Sequence, residues 1–80
     1  MNISSAVAQR ILALCRERGI TPNKLSIISG ITQSTINNII NTGSKNPTIS
    51  TIKKICDGLE ITLSEFFDDD VFNELEQEVK

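Results

Sequence analysis

The stretch from Thr21 to Pro47, TPNKLSIISGITQSTINNIINTGSKNP, reads as two short helices joined by a glycine turn and followed by a polar loop. Thr21 suits a helix N-cap, and Pro22 suits the first helical position, where a missing N–H costs nothing. Gly30 can adopt the left-handed conformation that ends a helix. A sharp turn over 29–32 follows, and Thr32 offers a second cap. The helix it starts, QSTINNIIN over 33–41, has apolar residues only at Ile36, Ile39 and Ile40, so one side faces a core and amides and hydroxyls cover the rest. Gly43 and Asn46–Pro47 are turn formers, and the loop they make carries Lys45.

Outward from this stretch the apolar spacing is helical. Val7, Ile11, Leu14 and Cys15 step by four, three and one, predicting a first helix that starts near Ser4 or Ser5 and stops at Gly19, with Arg16 and Arg18 complementing the dipole of its last turn. The second helix, Pro22 to about Ser29, is expected to bury Leu25 and Ile28, and the small Ser26 permits close helix approach. A fourth helix capped by Thr48 carries Ile49, Ile52, Ile55, Cys56 and Leu59, which predicts the most buried helix of the set, closed by Gly58. Thr62-Leu63-Ser64-Glu65 is a capping box, with Ile61 placed to staple onto Phe66, and Leu63, Phe66 and Phe67 are expected to seal the core. Beyond Asp68, Val71, Phe72, Leu75 and Val79 mark one side of a last helix, which either folds back or pairs with a second copy. The fold class is therefore all-α: a five-helix domain over 4–67 with an acidic helical tail over 68–80 and no repeat or linker.

Eighty residues allow one small domain, in which capping or dimerisation must supplement a modest core. No run of about 18 apolar residues is present for a membrane span, and the start MNISSAVAQR lacks the pattern of a secretion signal, so a cytoplasmic protein is expected. Cys15 and Cys56 both fall on apolar stripes. With no histidine and no Cys-x-x-Cys pair, they read as buried, inert thiols and not as a disulfide or metal site. The net charge of −2 conceals an asymmetry. Residues 1–64 hold seven bases and three acids, whereas residues 65–80 hold Lys80 against seven acids. A mildly basic globule thus carries an acidic tail, and the local field of a face is what attracts phosphate.

The ordered set RERGIT, Leu25 with the small Ser26, Gly30, ITQSTINNI, Pro47 and TISTIKKICDGLEITLSEFF resembles the Cro and phage-repressor family of helix-turn-helix regulators, also called the XRE family, from Ile11 to about Phe67. The resemblance implies a DNA-binding motif over 21–40, with the third helix reading bases. Gln33 matches a position where many members carry a base-contacting glutamine. Ser34 and Asn38 fall at other base-reading positions, and Asn41 and Lys45 at positions that hold phosphates. Two departures stand out. Pro22 replaces a glutamine that commonly braces the backbone contact, and Cys15 and Ile40 replace an arginine–glutamate pair that often links the first and third helices. If Cys15 and Ile40 meet, a packed contact replaces an ion pair, an exchange that is often neutral or stabilising.

At about 100° per residue, Ser34, Asn37, Asn38 and Asn41 share the outward face of the third helix, with Gln33 beside them. Docked helix-turn-helix proteins present the N-terminal part of this helix to base edges, so Gln33, Ser34, Asn37 and Asn38 are the expected base contacts. Thr21, Thr32, Asn41, Lys45 and Asn46 are the expected backbone contacts on double-stranded DNA. Asn and Gln bond bidentately to adenine, and the arginine that reads guanine is missing, which predicts an A·T-leaning operator. Few cations predict a shallow salt dependence and a need for a homodimer on a palindrome, paired through Leu63 to Val79. The expected function is a transcriptional regulator of the repressor kind, with no cofactor and no small-molecule effector. The alternative is an interaction module, such as an antitoxin or regulatory subunit, favoured by Pro22 and the acidic tail. An enzyme is not expected: histidine, a glycine-rich phosphate loop and a metal-ligand cluster are all missing from the sequence.

Overall fold

The computed structural model describes residues 1–42 and 46–79. The chain runs through α1 (Ile3–Arg18), α2 (Pro22–Ser29), α3 (Gln33–Asn37), a π turn (Asn38–Thr42), α4 (Ile49–Leu59), α5 (Leu63–Phe67) and a 3-10 turn (Asp70–Glu74). Among the described residues there is no strand, and the all-α, five-helix class is as expected. No helix among them is long and apolar enough to cross a membrane.

Three helix ends are built alike. At Gly19-Ile20-Thr21, Gly30-Ile31-Thr32 and Glu60-Ile61-Thr62, the first residue is left-handed and its N–H reaches the carbonyl three residues back. The isoleucine N–H reaches the carbonyl five residues back, at 3.0, 3.1 and 2.9 Å, which completes a Schellman motif. Each isoleucine then packs on the core, and each threonine accepts from an N–H of the next helix. One tripeptide therefore stops a helix, anchors the turn and starts the following helix. Thr62 and Glu65 form the complete capping box.

Two sequence expectations about these ends are corrected. Helix α1 starts before Ser4: Asn2 is the cap, its Oδ1 accepting from the Ser5 N–H at 2.8 Å, and Ser4 is buried within the first turn. Gly58 does not close α4 but lies inside it, and the left-handed residue is Glu60, with φ 59° and ψ 42°. A residue with a Cβ costs about 1 kcal/mol or more there. Glu60→Gly is therefore expected to raise stability by about 0.5–1 kcal/mol after allowance for the looser unfolded chain, measurable as an increase in the urea midpoint at unchanged slope.

The core gathers Val7, Ile11, Leu14 and Cys15 of α1, Leu25, Ile36, Ile39, the inner face of α4 (Ile52, Ile55, Cys56, Leu59) and Phe66. Helix α2 packs on α4, α4 on α5, and α1 on the π turn and the 3-10 turn. Because α1 buries Ser4, Ala6 and Ala8 as well as its apolar stripe, it and not α4 is the most extensively buried helix. Ile28 and Ile49 are exposed, not inward, at 38% and 67%. Each sits beyond the edge of its stripe, a position that a spacing rule alone does not resolve. Cys15 and Cys56 are buried free thiols, and burial pushes both thiol pKa values up. Ile40 packs against the cluster that contains Cys15, so both positions of the substituted ion pair lie in apolar surroundings.

The tail folds back on the domain. Its helical part is the short 3-10 segment and not a longer amphipathic helix; the Asp69 side chain caps it by accepting from the Val71 N–H, and the Phe72 N–H bonds the Asp69 carbonyl. Phe72 meets Phe67 with ring centroids 5.0 Å apart and Phe66 at 6.1 Å. Arg10 fastens this region. Its Nε donates to the Phe66 carbonyl at 2.7 Å, Nη2 to the Glu65 carbonyl at 2.8 Å, and Nη1 pairs with Asp69 at 3.2 Å. Farther along, the Glu76 N–H donates to the Met1 carbonyl at 2.9 Å, while Val79 is 87% exposed.

Candidate nucleic-acid interface

The left-handed Gly30 turns the chain sharply between α2 and α3, and Ile31 pins the turn to the core. Thr32 then caps α3: its hydroxyl accepts from the Thr35 N–H at 3.2 Å and lies 2.9 Å from the Thr35 hydroxyl. With Ile36 and Ile39 buried, Gln33, Ser34 and Asn37 are exposed together, forming an uncharged face of amides and a hydroxyl.

The winding changes at Asn38. The sequence predicts a continuous helix from Gln33 to about Asn41, whereas α winding ends at Asn37 and Asn38–Thr42 forms a π turn. The wider turn keeps Ile39 buried and Ile40 half-buried, and Asn41 points to solvent. Asn38 is half-buried and lines a hollow of about 190 Å³ with Thr35, Ile39, Asn46, Pro47, Thr48 and Thr51. It therefore sits at the margin of the outward face, not at its centre.

The expected backbone contacts fall on both sides of this face. Thr21 is exposed, and its hydroxyl accepts from the Lys24 N–H at 3.1 Å to cap α2. Thr32, Asn41 and Asn46 are exposed, whereas Lys45 lies outside the described residues. Across the hollow, Thr48 caps α4 by accepting from the Thr51 N–H. Two basic side chains are already committed to carboxylates. Arg10 holds Asp69, and Lys53 pairs with Asp57 one turn along α4 at 2.5 Å, a hydrogen bond that raises the lysine pKa.

Such a fold, with a capped and uncharged helix presented after a glycine turn, is compatible with many binding roles. Residues 10–70 match the model of the Cro/C1-type helix-turn-helix DNA-binding domain. The chain belongs to this family. Solved structures agree with the match. Prophage Lp1 protein 11 is 34% identical, with a TM-score of 0.80 over 94% of this chain and 100% of its own. An HTH_3 family transcriptional regulator from Vibrio cholerae is 30% identical, with a TM-score of 0.77 over 88% of this chain and 39% of that protein. The protein of the nucleoprotein complex C.Esp1396I is 26% identical, with a TM-score of 0.80 over 96% of this chain and 97% of its own. A search of curated proteins returned no match.

As a Cro/C1-type domain, the chain belongs to a class of DNA-binding transcriptional regulators and not to an enzyme class. Its helix-turn-helix is α2 and α3 with the Gly30 turn between them. Thr35, Thr48 and Thr51 line the hollow beside Asn38, and of these the sequence reading singled out only Thr48, as a helix cap and not as part of the site. The spacing of the threonines at 32, 35, 48 and 51 held the signal for this lining, since a cap hydroxyl and the residue three places on share one edge of a helix.

Proposed function

We propose that the chain is a transcriptional repressor that binds a palindromic, A·T-leaning operator as a homodimer, with α3 in the major groove. The exposed face of Gln33, Ser34 and Asn37 at the start of a helix held by the Gly30 turn carries this reading. Amides in that position match the bidentate pattern of adenine, and the N-terminal part of the second motif helix is the part that meets base edges. Asn38 reads from the margin of the face. Thr21, Thr32, Asn41, Lys45 and Asn46 meet the sugar-phosphate backbone. Two copies pair through the C-terminal region from Leu63 to Val79, of which Phe67 and Val79 are exposed. The domain proper spans 4–67 and is followed by an acidic tail over 68–80, of which Asp69 and Phe72 are held against it.

Selection of bound duplexes from a random pool, followed by titration at several salt concentrations, tests this reading. The expected consensus is A·T-rich and two-fold symmetric. Gln33→Ala and Asn37→Ala are each expected to weaken binding to that consensus about tenfold, the scale of one lost bidentate base contact. Each should also relax the preference at its own base pair. Binding without sequence preference, unaltered by both substitutions, would favour a protein-interaction role in which the exposed carboxylates of the tail meet a basic partner.

A further inference from the structure

We propose that Ser4, on the first turn of α1 and far from the reading helix in sequence, is a positioning residue for DNA: it orients the Asn46 side chain so that its amide N–H groups meet a backbone phosphate. The inference rests on the DNA-binding reading above. Ser4 is 8% exposed, and its hydroxyl donates to Oδ1 of Asn46, 42 residues away. Asn46 itself is exposed and lines two depressions. On one side it borders an apolar groove formed by Ile3, Val7, Ile49, Ile52 and Phe67, and on the other the polar hollow with Thr35, Asn38, Thr48 and Thr51.

The chemistry follows from the two ends of a carboxamide. One end only accepts and the other only donates, so a fixed donor at Oδ1 decides which way the NH2 group turns. Phosphate oxygens are acceptors, and an asparagine facing them with its carbonyl end would repel them. The Ser4 hydroxyl has a further virtue as the orienting group, because it comes from α1, which is rooted in the core by Val7 and Ile11. A mobile loop amide would have to be ordered on binding, at an entropic cost that a preset rotamer avoids. Ser4 thus couples the scaffold helix to the segment that leads into α4, beside the residues expected to read bases.

A double-mutant cycle on operator affinity tests the coupling, with thermal melts alongside to establish that each variant is folded. Asn46→Ala is expected to weaken binding about tenfold, as for a lost hydrogen bond to a charged acceptor. Ser4→Ala should lose a comparable factor without altering the selected consensus, and the double variant should bind no worse than either single one. Asn46→Asp keeps the acceptor for Ser4 but replaces the donor end by a charged oxygen, and should bind more weakly than Asn46→Ala. Additive losses from Ser4→Ala and Asn46→Ala, or Asn46→Asp binding as tightly as Asn46→Ala, would overturn the proposal even if Ser4→Ala proved unstable. Failure of this inference remains distinct from failure of the DNA-binding reading, in which Gln33→Ala and Asn37→Ala would also have no effect.

Discussion

Gly58→Ala is expected to destabilise the domain by about 2 kcal/mol, although glycine to alanine in a helix interior ordinarily stabilises by about 1 kcal/mol. The reversal comes from α2. A Cβ at position 58 would lie 2.9 Å from the Ile28 carbonyl oxygen, 3.0 Å from its carbon and 3.0 Å from the Ser29 Cα. All three are backbone atoms, so no side-chain rotation relieves the overlap and α2 must move away from α4. That pair is a principal helix contact of the fold. Chemical denaturation followed by circular dichroism should show a lower midpoint. A displaced α2 would also shift the α2–α3 turn, so DNA affinity should fall further than the unfolded fraction explains. An unchanged or raised midpoint would mean that α2 and α4 lie farther apart than described.

Arg10→Ala is the second large effect, at about 2–3 kcal/mol, because one guanidinium donates to two main-chain carbonyls and these charge-assisted bonds are among the stronger ones. The Arg10 side chain is only 12% exposed, and it serves the C-terminal end of α5, where the Phe66 carbonyl has no later helical turn to accept from and the Glu65 carbonyl accepts otherwise only the Asp68 N–H at 3.3 Å. The ion pair with Asp69 matters less. Asp69 is 38% exposed, so Asp69→Asn should cost less than about 1 kcal/mol. The ordering of the two substitutions is the informative result. Equal losses would assign the fastening to the ion pair, whereas the geometry assigns it to the carbonyls. Limited proteolysis should report the local consequence, with cleavage after Phe67 appearing in Arg10→Ala first.

The parts of the fold that were legible in the sequence are those whose causes are local. Thr21 with Pro22, Gly30, Thr32, Thr48 and the Thr62–Glu65 box each satisfy orphan N–H or carbonyl groups within one turn, so a short window contains both partners. Residues whose role is set by another part of the chain were read wrongly or passed over. Gly58 looked like a helix stop because its cause, the nearness of Ile28, is tertiary, and Glu60 took the left-handed place that glycine holds at positions 19 and 30. The cap Asn2 was passed over for Ser4 and Ser5, since all three side chains can fill that role and the apolar spacing does not choose among them. The exposed start of the reading face was legible from its isoleucine spacing. Its far end was not, since the π turn at Asn38 breaks the assumed 100° step and moves Asn38 toward the hollow. Nothing local in the sequence links Ser4 to Asn46 or Arg10 to Phe66.

The contact between Glu76 and Met1 spans 75 residues, nearly the length of the described chain. Closing so long a loop yields one main-chain hydrogen bond and an exposed ion pair, whereas the Schellman turns and caps close within a single turn of helix. The order of events in folding follows from that contrast. The helix-turn-helix and α4 can collapse on local contacts early, and the tail docks last, after α1 and α5 have fixed the position of Arg10. In reverse, the tail is the first part to open, and amide hydrogens beyond Asp70 exchange through that excursion without unfolding of the helices. Residues beyond Asp70 therefore form a low-stability fringe, whereas α3 is held by the Gly30 turn and by the buried Ile36 and Ile39.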